Sequence, residues 1–549
     1  VFVWLLASLG LPVVADEVLP RIAPEGLETA MESVRVDDLR RHVATLASDA
    51  LQGREAGSPG GQAAAAYLIQ QLRRLRATPA GADGDYVQEF GGGMRNLLAC
   101  VPGRDAIRSD EVIVICGHYD HVGFGTVRNS RGPIGYIHNG ADDNASGVAA
   151  LLELMEAIRL LPQAPRRTLL FAWWDGEEKG LLGSKHWISS PTRPLKQIKL
   201  VINVDMIGRL GASGLEVFGS RSACGLRQLL SEVHSANVLL DAVANPADKG
   251  TERVPLESDV VSAPSTAAQR QLPIRATAST RLEFPWEILA DSDHHPFLAA
   301  QIPAVMLHTG KHDDYHRPTD DVDKLQFDGL RQITRLLLLL TLHVAERDQL
   351  PPFRAEVLAE TRQHQRQAEE PLPLPAPRLG ISWKPELASR RIVEVLRVTP
   401  GSPADQSGLR PGDRIERFGG VAVSDVEDFR SLVVVAPRSV SAEIRRAGES
   451  STRRIQIPLA GEPTCLGLSW RTDSAEPGVL ILTRVVPHSP ADRAGLQTLD
   501  RLLSINGKAN LSQQDLERSV ESPGQSLAIL VERNGVLQTK HVELPPPLR

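Results

Sequence analysis

Apolar residues recur at three- and four-residue steps from Val36 to about Leu75, first as Leu39, Val43 and Leu46, then as Ala64, Tyr67, Leu68 and Leu72. That spacing predicts two helices, each with one buried face. Between them LQGREAGSPGG, residues 51–61, predicts an exposed loop. Downstream, short apolar runs alternate with helical stretches: NLLACV, EVIVICG, GVAALLELMEAI, TLLFAWW, LVINVDMIG and, much later, IPAVMLH. The alternation predicts an α/β domain with a mostly parallel sheet flanked by helices. Residues 245–282 have no period and are rich in small and polar residues and proline, which predicts a long loop or inserted subdomain. The helical pattern FDGLRQITRLLLLLTLHVAERD closes a domain placed at 30–347, and the proline- and charge-rich stretch 348–376 predicts a linker.

Beyond residue 376 the chain repeats itself. RVTPGSPADQSGLRPGDRI from Arg397 matches RVVPHSPADRAGLQTLDRL from Arg484, and the same offset of about 87 residues carries LGISW at Leu379 onto LGLSW at Leu466. Two small, mainly-β modules follow, at 377–460 and 464–546. Their SPAD-x-x-GL segment and the turn before the next strand resemble PDZ domains of bacterial exported proteases. The resemblance implies binding of an extended peptide as an added strand, its terminal carboxylate held by amides of the LGISW and LGLSW loops around Gly380 and Gly467. A spacer with a closed groove is the alternative, and Leu499 in place of Gly412 weakens the case for the second module.

Charge narrows the partners. With 61 basic and 67 acidic residues the formal charge is -6, which provides no basic footprint for nucleic acid and no polybasic membrane patch. Residues 1–15, VFVWLLASLGLPVVA, form an apolar run ending in small residues before Asp16 and predict a secretory signal, hence a periplasmic or secreted protein. The run is shorter than a bilayer span, and no transmembrane segment is expected elsewhere. Cys100, Cys116, Cys224 and Cys465 lack CxxC spacing; Cys100 and Cys116 either pair after export or sit as small buried residues in neighbouring strands.

Candidate chemistry lies at strand ends. His118-Tyr119-Asp120 follows VIVIC, Glu177-Glu178 follows LLFAWW, Asp205 follows LVINV and His308 follows IPAVM, the edge where open parallel sheets form their sites. GADDNASG sets Asp142 and Asp143 before a helix, where an isolated Asp reads as an N-cap. DDYHRPTDD places Tyr315 and His316 in a loop before the last helix. Together these are ligand types that suit zinc.

The set H-x-D, G-x-D-D-x-x-S-G, E-E-x-G-x-x-G-S, D-M and a late Y-H resembles the co-catalytic dizinc aminopeptidases, relatives of bacterial leucyl aminopeptidases and glutamate carboxypeptidases, over residues 35–345. The resemblance implies two zinc ions per chain: His118 and Asp205 on one, Glu178 and His316 on the other, Asp143 bridging. It implies Glu177 as general base, Asp120 as the residue orienting the His118 imidazole, and Tyr315 as donor to the developing oxyanion or as a packing residue. SDHHPF corresponds to a substrate-facing segment, so Asp293 or His294 stands near the pocket, although these, His121, His138, His295, His308 and His312 read as loop or supporting residues. The expected activity is an exopeptidase acting on peptides, most simply an aminopeptidase. A carboxypeptidase using Arg209 or Arg317 for the substrate carboxylate, a glutaminyl cyclase, and an inert PDZ adaptor are the alternatives.

Overall fold

A computed structural model of the chain describes residues 24–211, 214–244, 281–384, 392–423, 426–519 and 526–544. The signal expected at 1–15 and nearly all of the insert expected at 245–282 lie outside the described residues. The chain divides into two compact units, one running through Gln365 with Asn534–Val536, the other formed by the remainder from Arg366.

The first unit is built on a nine-stranded sheet of β1 (Thr78–Pro79), β2 (Val87–Phe90), β3 (Met94–Val101), β4 (Val112–His118), β5 (Thr168–Trp174), β6 (Ile198–Val204), β7 (Leu215–Phe218), β8 (Leu282–Glu283) and β9 (Ala304–His308), in the order β1-β3-β5-β4-β6-β9-β7-β8 with β2 on β3. The four central strands, β5, β4, β6 and β9, run parallel. Every residue of β4 and β5 is buried, which is why their sequences are continuous apolar runs without alternation. The margins run antiparallel, β3 to β5 and β7 to β9. The sheet is therefore parallel at the centre and mixed overall, and β2 and β3 form a hairpin through the Gly91–Gly93 turn, a geometry that needs no crossover helix.

Helices α1 (Pro24–Ser33), α2 (Val36–Leu46), α3 (Pro59–Arg74), α4 (Gly147–Arg159), α5 (Leu182–Ser189), α6 (Leu226–Ala244), α7 (His294–Ala299) and α8 (Phe327–Glu346) accompany the sheet. α3 opens on Ser58, whose Oγ accepts the Gly61 amide, with Pro59 in the first turn.

Three expectations need correction. Part of the loop expected to be exposed at 51–61 is interior: Gly53 and Arg54 are buried, and at Gly53, φ 69°, a Cβ would stand 2.5 Å from the Gly123 carbonyl oxygen. The first part of the expected linker belongs to the first unit, which runs to Gln365, with Val357 buried and Glu360 paired with Arg221 at 2.7 Å. Of the two readings of Cys100 and Cys116 the buried one holds, both being free and buried, and the correction is to their placement on neighbouring strands, since β5 separates β3 from β4.

The second unit holds two six-stranded sheets. The first, in the order β10-β11-β12-β14-β15 with β13 on β12, uses β10 (Ile381–Trp383), β11 (Val393–Val398), β12 (Arg414–Phe418), β13 (Val421–Ala422), β14 (Ser439–Arg445) and β15 (Thr452–Pro458). The second repeats that order with β16 (Leu468–Arg471), β17 (Leu480–Val485), β18 (Arg501–Ile505), β19 (Lys508–Ala509), β20 (Ser526–Arg533) and β21 (Val536–Glu543). Ser402 and Ser489 cap the two SPAD helices through the Asp405 and Asp492 amides. Leu499 takes the left-handed conformation of its counterpart Gly412, φ 72° against 89°, so the second turn keeps its path despite the side chain. In both modules an arginine clamps the buried aspartate of that turn, Arg446 to Asp413 at 3.0 Å and Arg533 to Asp500 at 2.6 Å. No helix among the described residues is long and apolar enough to cross a membrane.

Leu170 lies fully buried on β5 within the central cluster. Leu170→Ala is expected to destabilise the first unit by roughly 2–5 kcal/mol. Denaturant unfolding followed by tryptophan fluorescence reads this, because Trp173, Trp174 and Trp187 are all buried in that unit.

Candidate active site

The carboxyl ends of β4, β5 and β6 bring His118, the loop carrying Glu177 and Glu178, and Asp205 to one edge of the sheet. A pocket there is walled by these four residues together with Asp143, Tyr315, His316, Asp291, Ser292 and Lys311. All five residues expected as metal ligands therefore meet at one place.

Their donor atoms form two groups that share Asp143. His118 Nε2 lies 3.3 Å from Asp143 Oδ1 and 3.3 Å from Asp205 Oδ1. His316 Nε2 lies 3.1 Å from Asp143 Oδ2 and 3.1 Å from Glu178 Oε2. The two oxygens of Asp143 thus face different groups, as a bridging carboxylate must. Donors tetrahedrally placed about 2.0–2.2 Å from a zinc ion stand roughly 3.3–3.6 Å from one another, so the His118 spacings of 3.3 Å match a cation site and the His316 spacings of 3.1 Å fall slightly short of one. Within each group the donor atoms all lie within 4.8 Å of one another, and the second group includes His121 as well as Asp143, Glu178 and His316.

The electrostatics agree with that fit. Burial opposes charge on His118, yet the carboxylates of Glu177 and Asp205 outweigh it and raise its pKa well above the ordinary value. Burial is likewise outweighed at His316, raised to about 10 by Asp143 and Glu178, and at Glu178, lowered to about 2 by His121 and His316 against the opposing charge of Asp143. Asp143 falls well below its ordinary range despite burial because His118 and His316 face it. Buried carboxylates in this density demand positive charge, which protonated imidazoles or divalent cations supply. Glu177 is different: burial pushes its pKa well up, with Glu178 adding to the effect against the pull of His118.

Backbone and supporting side chains hold the candidate ligands in place. Asp143 sits in an irregular turn, Ala141–Ser146, before α4, and does not cap the helix; the Asp142 and Asp143 amides donate to Asp320 Oδ2 at 3.0 and 3.1 Å. Asp142 instead accepts from the Gly208 amide at 2.6 Å and pairs with His312 at 3.1 Å, tying the turn to the segment after Asp205. Asn144 Nδ2 donates to the Val204 carbonyl at 2.9 Å, and Ser292 Oγ donates to Asp205 Oδ2 at 2.6 Å. His316, at φ 54°, is held by its Nδ1 at 2.7 Å from the Asn129 carbonyl.

Asp120 behaves differently from expectation. Its carboxylate lies 3.8 Å from His118 Nδ1, whereas its main-chain carbonyl lies 3.1 Å away and anchors the ring. The carboxylate accepts the Glu177 and Glu178 amides at 3.0 and 3.3 Å, so it fixes the loop bearing the two glutamates. Tyr315 walls the pocket, stacked on His316 with centroids 3.9 Å apart and with Arg131 and Lys311 against its ring. Asp293 and His294 are buried behind the wall, which Asp291 and Ser292 form; Asp293 accepts Ser184 Oγ at 2.5 Å. His308 Nδ1 lies 2.8 Å from the Asp205 carbonyl and supports the strand end.

The largest omission of the sequence reading is Arg54. Its buried guanidinium donates to the carbonyls of Tyr119, Leu46, Asn139, Gly140 and Asp143, at 2.9, 2.8, 2.6, 2.9 and 3.4 Å. One side chain thereby fastens the His118 loop to the Asp143 turn. Burial lowers its pKa to about 10, still leaving it charged at neutral pH. No local signal distinguishes it from a surface arginine in a glycine-rich loop.

Comparison with known proteins follows the same lines. Residues 96–267 and 234–341 match Peptidase family M28, and residues 394–446 and 481–533 each match the PDZ domain. The chain is 25% identical over 342 residues to leucine aminopeptidase 1 of Arthroderma otae, covering 60% of this chain and 80% of that protein. It is 33% identical over 156 residues to leucine aminopeptidase 1 of Trichophyton rubrum, covering 27% of this chain and 39% of that protein, so with this relative it shares less than half the length. Among solved structures, the Legionella pneumophila LapA aminopeptidase aligns at 18% identity over 60% of this chain and 78% of that chain, with a TM-score of 0.43.

Arg54→Met removes the donors of five buried carbonyls, and about 1–3 kcal/mol attends each buried polar group left without a partner. Thermal unfolding is expected to show a loss of at least about 3 kcal/mol, with Arg54→Lys recovering only part of it because an ammonium cannot span the same acceptors.

Proposed function

We propose that the chain, with its match to peptidase family M28 followed by two PDZ domains, is an exported two-zinc aminopeptidase that removes N-terminal residues from peptides. The observation that carries this reading is the sharing of Asp143 between two donor groups, with Glu177 beside them on the pocket wall and engaged as donor to neither.

His118, Asp143 and Asp205 would hold one zinc, and Asp143, Glu178 and His316 the other. Zinc bound there supplies Lewis acidity that lowers the pKa of water toward neutrality and polarises a peptide carbonyl. Glu177 takes the proton of the attacking water on its carboxylate and returns it to the leaving amine. Its burial favours the first half of that task, since a carboxylate whose pKa is raised by burial is a stronger base. Asp120 keeps Glu177 and Glu178 on separate duties by gripping both of their amides. Tyr315, which lines the pocket, is assigned the role of donor to the oxyanion.

A carboxypeptidase would need a free cation facing the substrate's carboxylate. Arg209 is engaged with Asp314 at 3.0 Å and Asp320 at 3.3 Å, neither Arg209 nor Arg317 walls the pocket, and Lys311, which does, is engaged with Asp291 at 2.9 Å. The PDZ modules, with Gly380 and Gly467 at φ 83° and 82° in their loops, are read as docking sites for extended peptides. Export rests on the apolar run at 1–15.

Elemental analysis is expected to find two zinc ions per chain, with chelator-sensitive hydrolysis of peptides bearing a free N-terminus and none of N-blocked peptides; cleavage of N-blocked peptides from the other end would replace the aminopeptidase reading. Glu177→Gln is expected to retain metal while kcat falls roughly 10²–10⁴-fold. Asp143→Ala is expected to lose both ions, and retention of two would remove Asp143 as the bridge.

A further inference from the structure

We propose that His121 is a direct ligand of the second zinc, giving that site four protein donors against three at the first; the inference rests on the two-zinc reading above. His121 follows His118 by three residues and is buried to 1% exposure. Its Nδ1 lies 2.9 Å from Glu178 Oε1 and 3.8 Å from Asp143 Oδ2. Two imidazoles therefore approach the same pair of carboxylates, His316 through Nε2 and His121 through Nδ1. Their rings meet edge to face, 83° apart with centroids at 5.5 Å, so the ring planes cross instead of stacking and both nitrogens can face one centre. A hydrogen bond between His121 and Glu178 alone would not require His121 to converge with His316 and Asp143.

The fold fixes this ring in advance. The His121 amide donates to the Arg54 carbonyl at 3.2 Å. On the other side the ring rests against Gly140, where a Cβ would come within 2.5 Å of His121 Cδ2. Gly140 is thus needed for the space as well as for its positive φ of 56°. With Asp143 shared, the first centre is held by one nitrogen and two carboxylates, and the second by two nitrogens and two carboxylates. The second site is the more nearly closed by protein and should hold its ion more tightly.

The test is zinc affinity, by competition with a chromophoric chelator, together with the visible absorption of the cobalt-substituted protein. His121→Asn keeps an amide N–H in the place of Nδ1 and can still donate to Glu178, but an amide is a poor zinc ligand. Expected are two zincs in the unaltered protein and, in His121→Asn, one zinc at its original affinity and the other weakened more than tenfold, with altered cobalt bands from loss of a nitrogen donor. Gly140→Ala, which displaces the ring without removing it, is expected to weaken the same site. Unchanged cobalt bands in His121→Asn would overturn the ligand assignment, whatever the affinity, while two zincs in the unaltered protein would leave the two-zinc reading standing. Fewer than two zincs in the unaltered protein would overturn that reading and the inference with it.

Discussion

Mutual repulsion among buried carboxylates is the constraint around which the peptidase unit is arranged. Asp143, Glu178 and Asp205 converge at the ends of parallel strands with Glu177 beside them, where little water is left to screen their charge. Such a cluster persists only if cations neutralise it and if the chain segments carrying it cannot relax apart. The imidazoles of His118, His121 and His316 meet the first need in part, with nitrogens 3.3, 2.9 and 3.1 Å from carboxylate oxygens of the cluster. The second need is met by buried polar bonds that join loops far apart in sequence.

Those bonds form a layer beneath the ligands. Arg54 binds the carbonyls around Tyr119 and Asp143, Asp320 accepts the Asp142 and Asp143 amides, Asp120 accepts the Glu177 and Glu178 amides, and Ser292 donates to Asp205. Each partner satisfies groups that burial would otherwise leave costly, and each fixes the direction of a residue facing the pocket. Positioning and stability are consequently the same interactions here. A substitution in this layer acts on both at once.

The two PDZ modules illustrate a looser relation between residue and backbone. Gly412 and Leu499 occupy equivalent turns with the same left-handed conformation, although only glycine reaches it without strain. The aspartate that follows is clamped in both copies by an arginine 33 positions further along the chain, which holds the turn whichever residue precedes it. Tertiary clamps of this kind allow a repeat to lose its turn glycine and keep its path.

Local pattern was enough for the central strands, because residues buried on both faces must be apolar without interruption, as in VIVIC and LLFAWW. It was also enough to mark His118, Glu177, Glu178 and Asp205, polar residues that interrupt apolar runs at strand ends, whereas Asp143, Tyr315 and His316 lie in loops and stood out through the resemblance of the whole set. The repeat was legible for a simpler reason, as like segments recur at one offset. What the sequence could not show was which polar residue meets which. Arg54 looked like a surface residue, Asp120 like a partner for the His118 ring, and His121 like one histidine among several. Their roles depend on distances between loops 57 to 89 positions apart, such as Asp120 to Glu177 and Arg54 to Asp143. Sequence determined the identity and spacing of the chemical groups, through burial and periodicity that act along the chain. Only the tertiary structure decided their pairing, because hydrogen bonds and charge act through space at a few ångströms and carry no period that a chain can display.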